Sequence, residues 1–247
     1  NCHDTETTGR RKIDQENVMQ KHSEDLTLKK IAVIRTDFPE KFGLPRQSGL
    51  AETRGKVVFV PEYRSKDALR GLEDYSHLWR LWGFSEVKQK TWHATVRPPR
   101  LGGNTRMGVF ATRSPFRPNP IGLSCVRLVK ICDTEKEGSV LLVEGVDMMD
   151  GTPIYDVKPY LPYVDCKMDA AGGFAEQHKN DGLQVEFEKD LELCVPEEHR
   201  TVLRQILAQD PRPSYQEDPE RIYGMDYAGM RIRFRVADGC LRVCSVQ

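Results

Sequence analysis

Long apolar runs are missing from this sequence. Its most continuous hydrophobic stretches, such as residues 56–60 and 140–143, fall far short of the roughly 20 residues that a membrane-crossing helix needs. No leader of charged, apolar and small residues opens the chain, so the expectation is a cytoplasmic protein with no membrane partner. Pairable cysteines are missing too. The seven cysteines are odd in number and scattered from Cys2 to Cys244, without C-x-x-C spacing or a histidine cluster. That pattern indicates neither a disulfide framework nor a zinc site, and predicts reduced, mostly buried thiols. Familiar catalytic signatures are lacking as well: there is no P-loop, no H-E-x-x-H and no G-x-S-x-G. Gly102, Gly103 and Gly108 do not have the spacing of a dinucleotide fingerprint. Any cofactor must therefore be held by another architecture.

The most informative shortage is of negative charge in the middle of the chain. Overall the 37 basic and 37 acidic residues cancel, which taken alone argues against a polyanionic partner. Yet residues 87–132 contain no Asp or Glu, while Lys88, Lys90, Arg97, Arg100, Arg106, Arg113, Arg117, Arg127 and Lys130 all fall there. Nine positive charges in one window leave the rest of the chain acidic by the same amount, so an anionic partner is expected to meet this segment.

Residues 1–28 are polar and aperiodic, with too little apolar surface to offset the entropy of ordering them, and read as a tail or arm. From residue 29 short β-type runs follow at 31–34, 56–60, 77–84, 107–112, 123–131, 139–146 and 154–157. Seven short strands with one short helix at 66–72 predict a mainly β, barrel-like domain over residues 29–164. The Pro, Gly, Asp and Asn residues of 165–182 read as a linker. A small α+β unit over 183–247 follows. It has a strand at 183–187 and a helix at 196–209, where Val202, Leu203, Ile206 and Leu207 recur at helical spacing. A hairpin of 230–236 and 241–246 closes the chain, carrying Arg231, Arg233 and Arg235 on one face; that stripe either extends an anionic footprint or keeps a sheet face wetted.

Four segments within the β-rich part are chemically unusual. They are Phe42-Gly-Leu-Pro-Arg-Gln-Ser-Gly, Tyr75-Ser-His-Leu-Trp, the stretch from Val96-Arg-Pro-Pro-Arg through Thr112-Arg-Ser-Pro-Phe-Arg-Pro-Asn-Pro, and Asp150-Gly-Thr-Pro-Ile-Tyr-Asp-Val-Lys-Pro-Tyr. In the third, Pro98, Pro99, Pro115, Pro118 and Pro120 remove backbone donors and fix φ, so it is neither a central strand nor a helix interior. A loop that stiff holds Arg97, Arg100, Arg113 and Arg117 at low entropic cost, in the way that recognition of phosphate, carboxylate or base edges requires.

Taken together and in this order, the four segments resemble the TrmO family, also called the TsaA-like or YaeB group, over residues 29–163. The segment Ala208-Gln-Asp-Pro-Arg-Pro-Ser-Tyr is similar to the small C-terminal domain of its bacterial-type members. The resemblance implies a β-barrel that binds S-adenosylmethionine. It also implies methyl transfer to N6 of a threonylcarbamoyl-modified adenosine beside the tRNA anticodon, by a homodimer. It further implies that Pro45, Arg46, Gln47, His77, Leu78, Arg113, Leu123, Asp150, Gly151, Thr152 and Pro153 line the cofactor. These residue types suit the ligand: amides for adenine edges, an arginine for the carboxylate, an aspartate for ribose hydroxyls.

Two further assignments come from the residues themselves. Asp156 and Lys158 lie two apart on a β-type segment and so share a face, which makes them candidates for removing the N6 proton and orienting the nucleotide. Arg97, Arg100, Arg106 and Arg117, beside the expected cofactor loops and without acidic neighbours in sequence, are the candidate RNA-phosphate contacts. Two alternatives stand beside this reading: a non-catalytic RNA-binding module with a small-molecule pocket, and a methyltransferase with another substrate.

Overall fold

The computed structural model describes residues 26–87, 91–101, 105–179, 181–188, 190–213, 216 and 218–247. The expected arm over 1–28 lies, up to residue 25, outside the described residues. The first unit contains β1 (Ala32–Thr36), β2 (Arg54–Phe59), β3 (His77–Gly83), a two-stranded ribbon of β4 (Thr95–Val96) and β5 (Met107–Gly108), β6 (Ile121–Thr134), β7 (Gly138–Glu144) and β8 (Pro153–Pro159). Six of these close into a barrel of order β1-β2-β7-β6-β3-β8, and β8 returns to β1 through Ala32 opposite Ile154. Closure leaves no open sheet edge.

Alternation along each strand fills the barrel. Ile34, Val57, Leu78, Trp82, Val126, Leu141, Val143 and Ile154 point inward into one apolar cluster, which Val146 and Met148 cover from the segment after β7. Gly122 on β6 pairs with Trp82 on β3, and a side chain at 122 would overlap the indole. The glycine there is a matter of volume: the barrel admits one ring at that level, and Trp82 supplies it.

Two short helices, α1 (Pro162–Asp165) and α2 (Phe174–Gln177), lead to β9 (Gln184–Phe187), α3 (Glu197–Ala208), β10 (Tyr223–Tyr227), β11 (Met230–Ala237) and β12 (Cys240–Val246). The sheet order is β10-β11-β12-β9. The apolar stripe of α3, Val202, Leu203, Ile206 and Leu207, packs with Met225, Ile232, Phe234, Leu241 and Val243. Phe38 and Ala51 also belong to this second cluster, and Phe42 and Leu44 pack against it. The connection between β1 and β2 therefore leaves the barrel, enters the second core and returns.

Several expectations need correction. The run 107–112 is not a strand beyond Gly108. Val109–Ala111 is a 3-10 turn, because Arg117 Nη2 draws the carbonyls of Val109 and Thr112 around itself at 3.1 and 2.5 Å. The segment 66–72 forms only a 3-10 turn over Lys66–Leu69. β10 was not foreseen, since Gly224 and Asp226 mask the inward alternation of Tyr223, Met225 and Tyr227. The six described cysteines are not buried: Cys166 and Cys194 are exposed and the others intermediate.

Candidate functional site

The β1–β2 connection carries Pro45, Arg46 and Gln47, and it is held from both sides. Arg46 Nη2 donates to the carbonyl of Asp210 at 2.7 Å and its amide to Gln209 Oε1 at 3.3 Å, both past the end of α3. On the barrel side, Gly49 N–H donates to Gly145 O at 3.0 Å, and Arg113 Nη1 donates to Gln47 Oε1. Two loops separated by 66 residues in sequence are thus joined through expected cofactor residues. The turn Asp150–Pro153 closes the same end of the barrel. The Asp150 carboxylate accepts Thr36 N–H and Arg35 Nη1, each at 3.1 Å, and Gly151, at φ 78°, donates to Ile34 O at 2.8 Å. Thr152 is buried. The turn is structural, and it presents Asp150 and Gly151 at the surface.

A second group lies on the outer wall. On β3 the residues His77, Trp79 and Leu81 alternate with the inward Leu78, Arg80 and Trp82. Leu81 pairs with Leu123 of β6 and with Asp156 of β8, and Trp79 with Lys158. His77, Leu123, Asp156 and Lys158 therefore share the outer face, whereas Leu78 is wholly buried in the barrel interior beneath His77. Leu123 is 52% exposed, an apolar side chain standing open on a strand. Asp156 and Lys158 do face the same side, as their spacing requires: Lys158 Nζ lies 2.9 Å from Asp156 Oδ2.

The basic residues divide. Arg97 and Arg106 are exposed on the β4–β5 ribbon and its flank, Arg106 reaching Thr95 Oγ1 at 3.1 Å. Arg117 is engaged by the carbonyls of Val109, Thr112 and Ser114 and braces the proline loop from within. The side chain of Arg100 lies outside the described residues. Arg127 pairs with Glu144 at 2.6 Å. Of the C-terminal stripe, Arg231 pairs with Asp226 at 2.9 Å and Arg235 with Glu188 at 3.3 Å, which favours the reading of a wetted sheet face over an anionic footprint.

Sequence reasoning missed a buried polar relay behind these loops. Trp82 Nε1–H donates to Ser124 Oγ at 2.9 Å, and Ser124 Oγ–H to Asp147 Oδ1 at 2.7 Å. Asp147 also accepts the amide of Ser48, the residue after Gln47. Arg80 is fully buried, and none of its three guanidinium nitrogens has a hydrogen-bond partner among the described residues. Desolvation lowers its pKa to about 10 against the opposing pull of Asp147. Burial in turn raises Asp147, partly offset by the Ser124 hydroxyl and Arg80. The signal was present in the sequence, because Arg80 holds the inward register between Leu78 and Trp82.

A closed barrel whose loops meet a second α+β core defines a barrel protein with a small α+β companion unit. The comparisons make this particular. The model of the tRNA-methyltransferase O N-terminal domain matches residues 33–166, and that of the TrmO C-terminal domain matches 180–247. The tRNA (adenine(37)-N6)-methyltransferase of Escherichia coli (strain K12) is 41% identical over 226 residues, 88% of this chain and 96% of the relative. The enzyme of that name from Eikenella corrodens is 47% identical over 167 residues, 67% of this chain and 93% of the relative. A crystal structure of TrmO superposes with a TM-score of 0.72 at 35% identity, covering 90% of this chain and 99% of that one. The chain belongs to the TrmO family.

Proposed function

We propose that this chain transfers the methyl group of S-adenosylmethionine to N6 of the modified adenosine at position 37 of tRNA, beside the anticodon. The observation that carries the reading is the match to the Escherichia coli enzyme along 96% of that enzyme's length. The residues present fit the cofactor. Arg113 offers an exposed guanidinium for a carboxylate, Gln47 an amide beside it, and Asp150 and Gly151 a surface turn for hydroxyls. Leu123 adds an apolar wall. S-adenosylmethionine, when bound, supplies an already activated methyl group. The chain's own residues position the acceptor nitrogen and exclude water. Asp156 takes the N6 proton, and Lys158, whose Nζ lies 2.9 Å from its carboxylate, orients the nucleotide. Arg97, Arg100 and Arg106 contact phosphates, and Arg117 holds the loop that carries them.

The division into a barrel unit over 29–164, a connection over 165–182 and a C-terminal unit over 183–247 belongs to this reading; the two hydrophobic clusters support two cores, the second of which also takes Phe38 and Ala51 from the β1–β2 connection. A homodimer also belongs to this reading, and for it the exposed Val129 on β6 offers apolar area to cover. The cytoplasm, where tRNA is found, is the corresponding location; among the described residues no helix is long and apolar enough to cross a membrane.

Calorimetric titration with S-adenosylmethionine and S-adenosylhomocysteine, followed by single-turnover methylation of tRNA, tests the proposal. Arg113→Ala is expected to weaken cofactor binding about ten- to a hundredfold, the scale of one charged hydrogen bond. Asp156→Asn is expected to slow the methylation step with cofactor affinity retained; an unchanged rate dismisses Asp156 as the base. Absence of affinity for either cofactor form sinks the enzyme reading and leaves the RNA-binding module.

A further inference from the structure

Trp92 and Phe110 are large aromatic side chains left on the surface, 50% and 76% exposed. Their rings lie 6.2 Å apart and 22° from parallel. The backbone beneath them is fixed. His93 N–H donates to Phe116 O at 3.1 Å and Val109 N–H to Ala94 O at 3.0 Å, β4 pairs with β5, and Arg117 binds the carbonyls of Val109 and Thr112 on either side of Phe110. The pair is therefore ordered before any partner arrives, and little entropy is lost when one does. A groove lined by Thr91, Trp92, Pro115, Phe116, Pro118 and Pro120 adjoins it.

The charge around this platform selects its occupant. It lies in the window of residues 87–132, which holds nine basic residues and no acidic one, with Arg97 and Arg106 exposed nearby. Flat apolar rings on the same loops as the exposed Arg97 and Arg106 match a polyanion that also carries flat rings. An unpaired RNA segment is such a ligand, because its bases can leave their stack and lie on an aromatic face while its phosphates meet arginines. A second copy meeting this face symmetrically would bring the same cations against it, which disfavours that occupant.

We propose that Trp92 and Phe110 form a stacking platform for an unstacked nucleobase of the tRNA anticodon loop, with Arg97 and Arg106 holding the adjoining phosphates. This rests on the tRNA reading above and adds the contact that distinguishes a loop from a duplex. The test uses the full chain, an anticodon stem-loop RNA and a fully paired RNA of the same length. Trp92→Ala and Phe110→Ala are each expected to weaken stem-loop binding roughly ten- to a hundredfold. Duplex binding, the slope of log K against log salt and titration with S-adenosylhomocysteine are expected to stay unchanged, since no phosphate or cofactor contact is removed. Trp92→Phe is expected to restore most of the affinity.

Equal losses on stem-loop and duplex, or no loss on either, overturn the platform. So does a shift in mass by light scattering with RNA affinity intact, which would assign the face to a second copy. Failure of the underlying tRNA reading looks different: the unaltered protein itself then binds neither RNA while still binding the cofactor.

Discussion

The Arg80 guanidinium has no hydrogen-bond partner among the described residues and is buried in the barrel, where the charge of Asp147 offsets part of its desolvation. Arg80 supplies the charge that faces the buried Asp147 carboxylate, so removing the guanidinium leaves an enclosed carboxylate without its counter-charge, worth about 3–5 kcal/mol of stability. Arg80→Met is expected to destabilise by that order in urea unfolding, and Arg80→Met combined with Asp147→Asn to recover most of the loss. Additive single effects would show that the two do not interact. The pH sign follows from the direction of the shift. Burial raises Asp147, so protonation is easier folded than unfolded. Its contribution favours the fold at pH below the unfolded carboxylate value and is lost as pH rises through the folded value. Acid therefore does not unfold the barrel through this residue. At this scale the shared face of Asp156 and Lys158 was legible because a strand has period two. The relay through Ser124, Asp147 and Ser48 was not, because its members come from three separate segments that only barrel closure brings together.

The junction of β8 and α1 behaves in the opposite way. Asp165 accepts the amide of Leu161 and Trp79 Nε1–H, both at 2.9 Å, and those bonds, the Leu161 amide first, hold its carboxyl below the usual range. A depressed folded value means stability that is present above the unfolded pKa and lost as pH falls below about 4. Asp165→Ala is expected to flatten the acid limb of the stability profile and to free Trp79, read as a shift in tryptophan emission; an unaltered acid limb would show that the junction is held by packing alone. α3 was readable in sequence because four apolar residues recur at helical spacing. The 3-10 turn at Val109–Ala111 was not, since the cause of its curvature, Arg117, lies outside the turn and acts through its side chain.

The two cores are joined through the segment that carries Pro45, Arg46 and Gln47. Phe38, Phe42, Leu44 and Ala51 belong with the C-terminal core, although they precede it by well over a hundred residues. No local pattern reveals such a contact, which is why sequence reading separates two units that the structure interlocks at the loop expected to line the cofactor. The seat is tight at Gly43, whose φ is 91° and where an added Cβ would lie 2.5 Å from Met225 Cε. Gly43→Ala therefore combines backbone strain with overlap, and is expected to cost about 1 kcal/mol or more. Phe42→Ala loosens the same seat without strain. If the C-terminal core positions the cofactor loop, both changes lower affinity for S-adenosylhomocysteine in calorimetry, although neither residue belongs to the expected cofactor lining. Phe42→Ala should do so while the barrel stays folded by circular dichroism. Undiminished affinity in both variants would mean that the Gly49–Gly145 and Gln47–Arg113 bonds fix the loop from the barrel side alone.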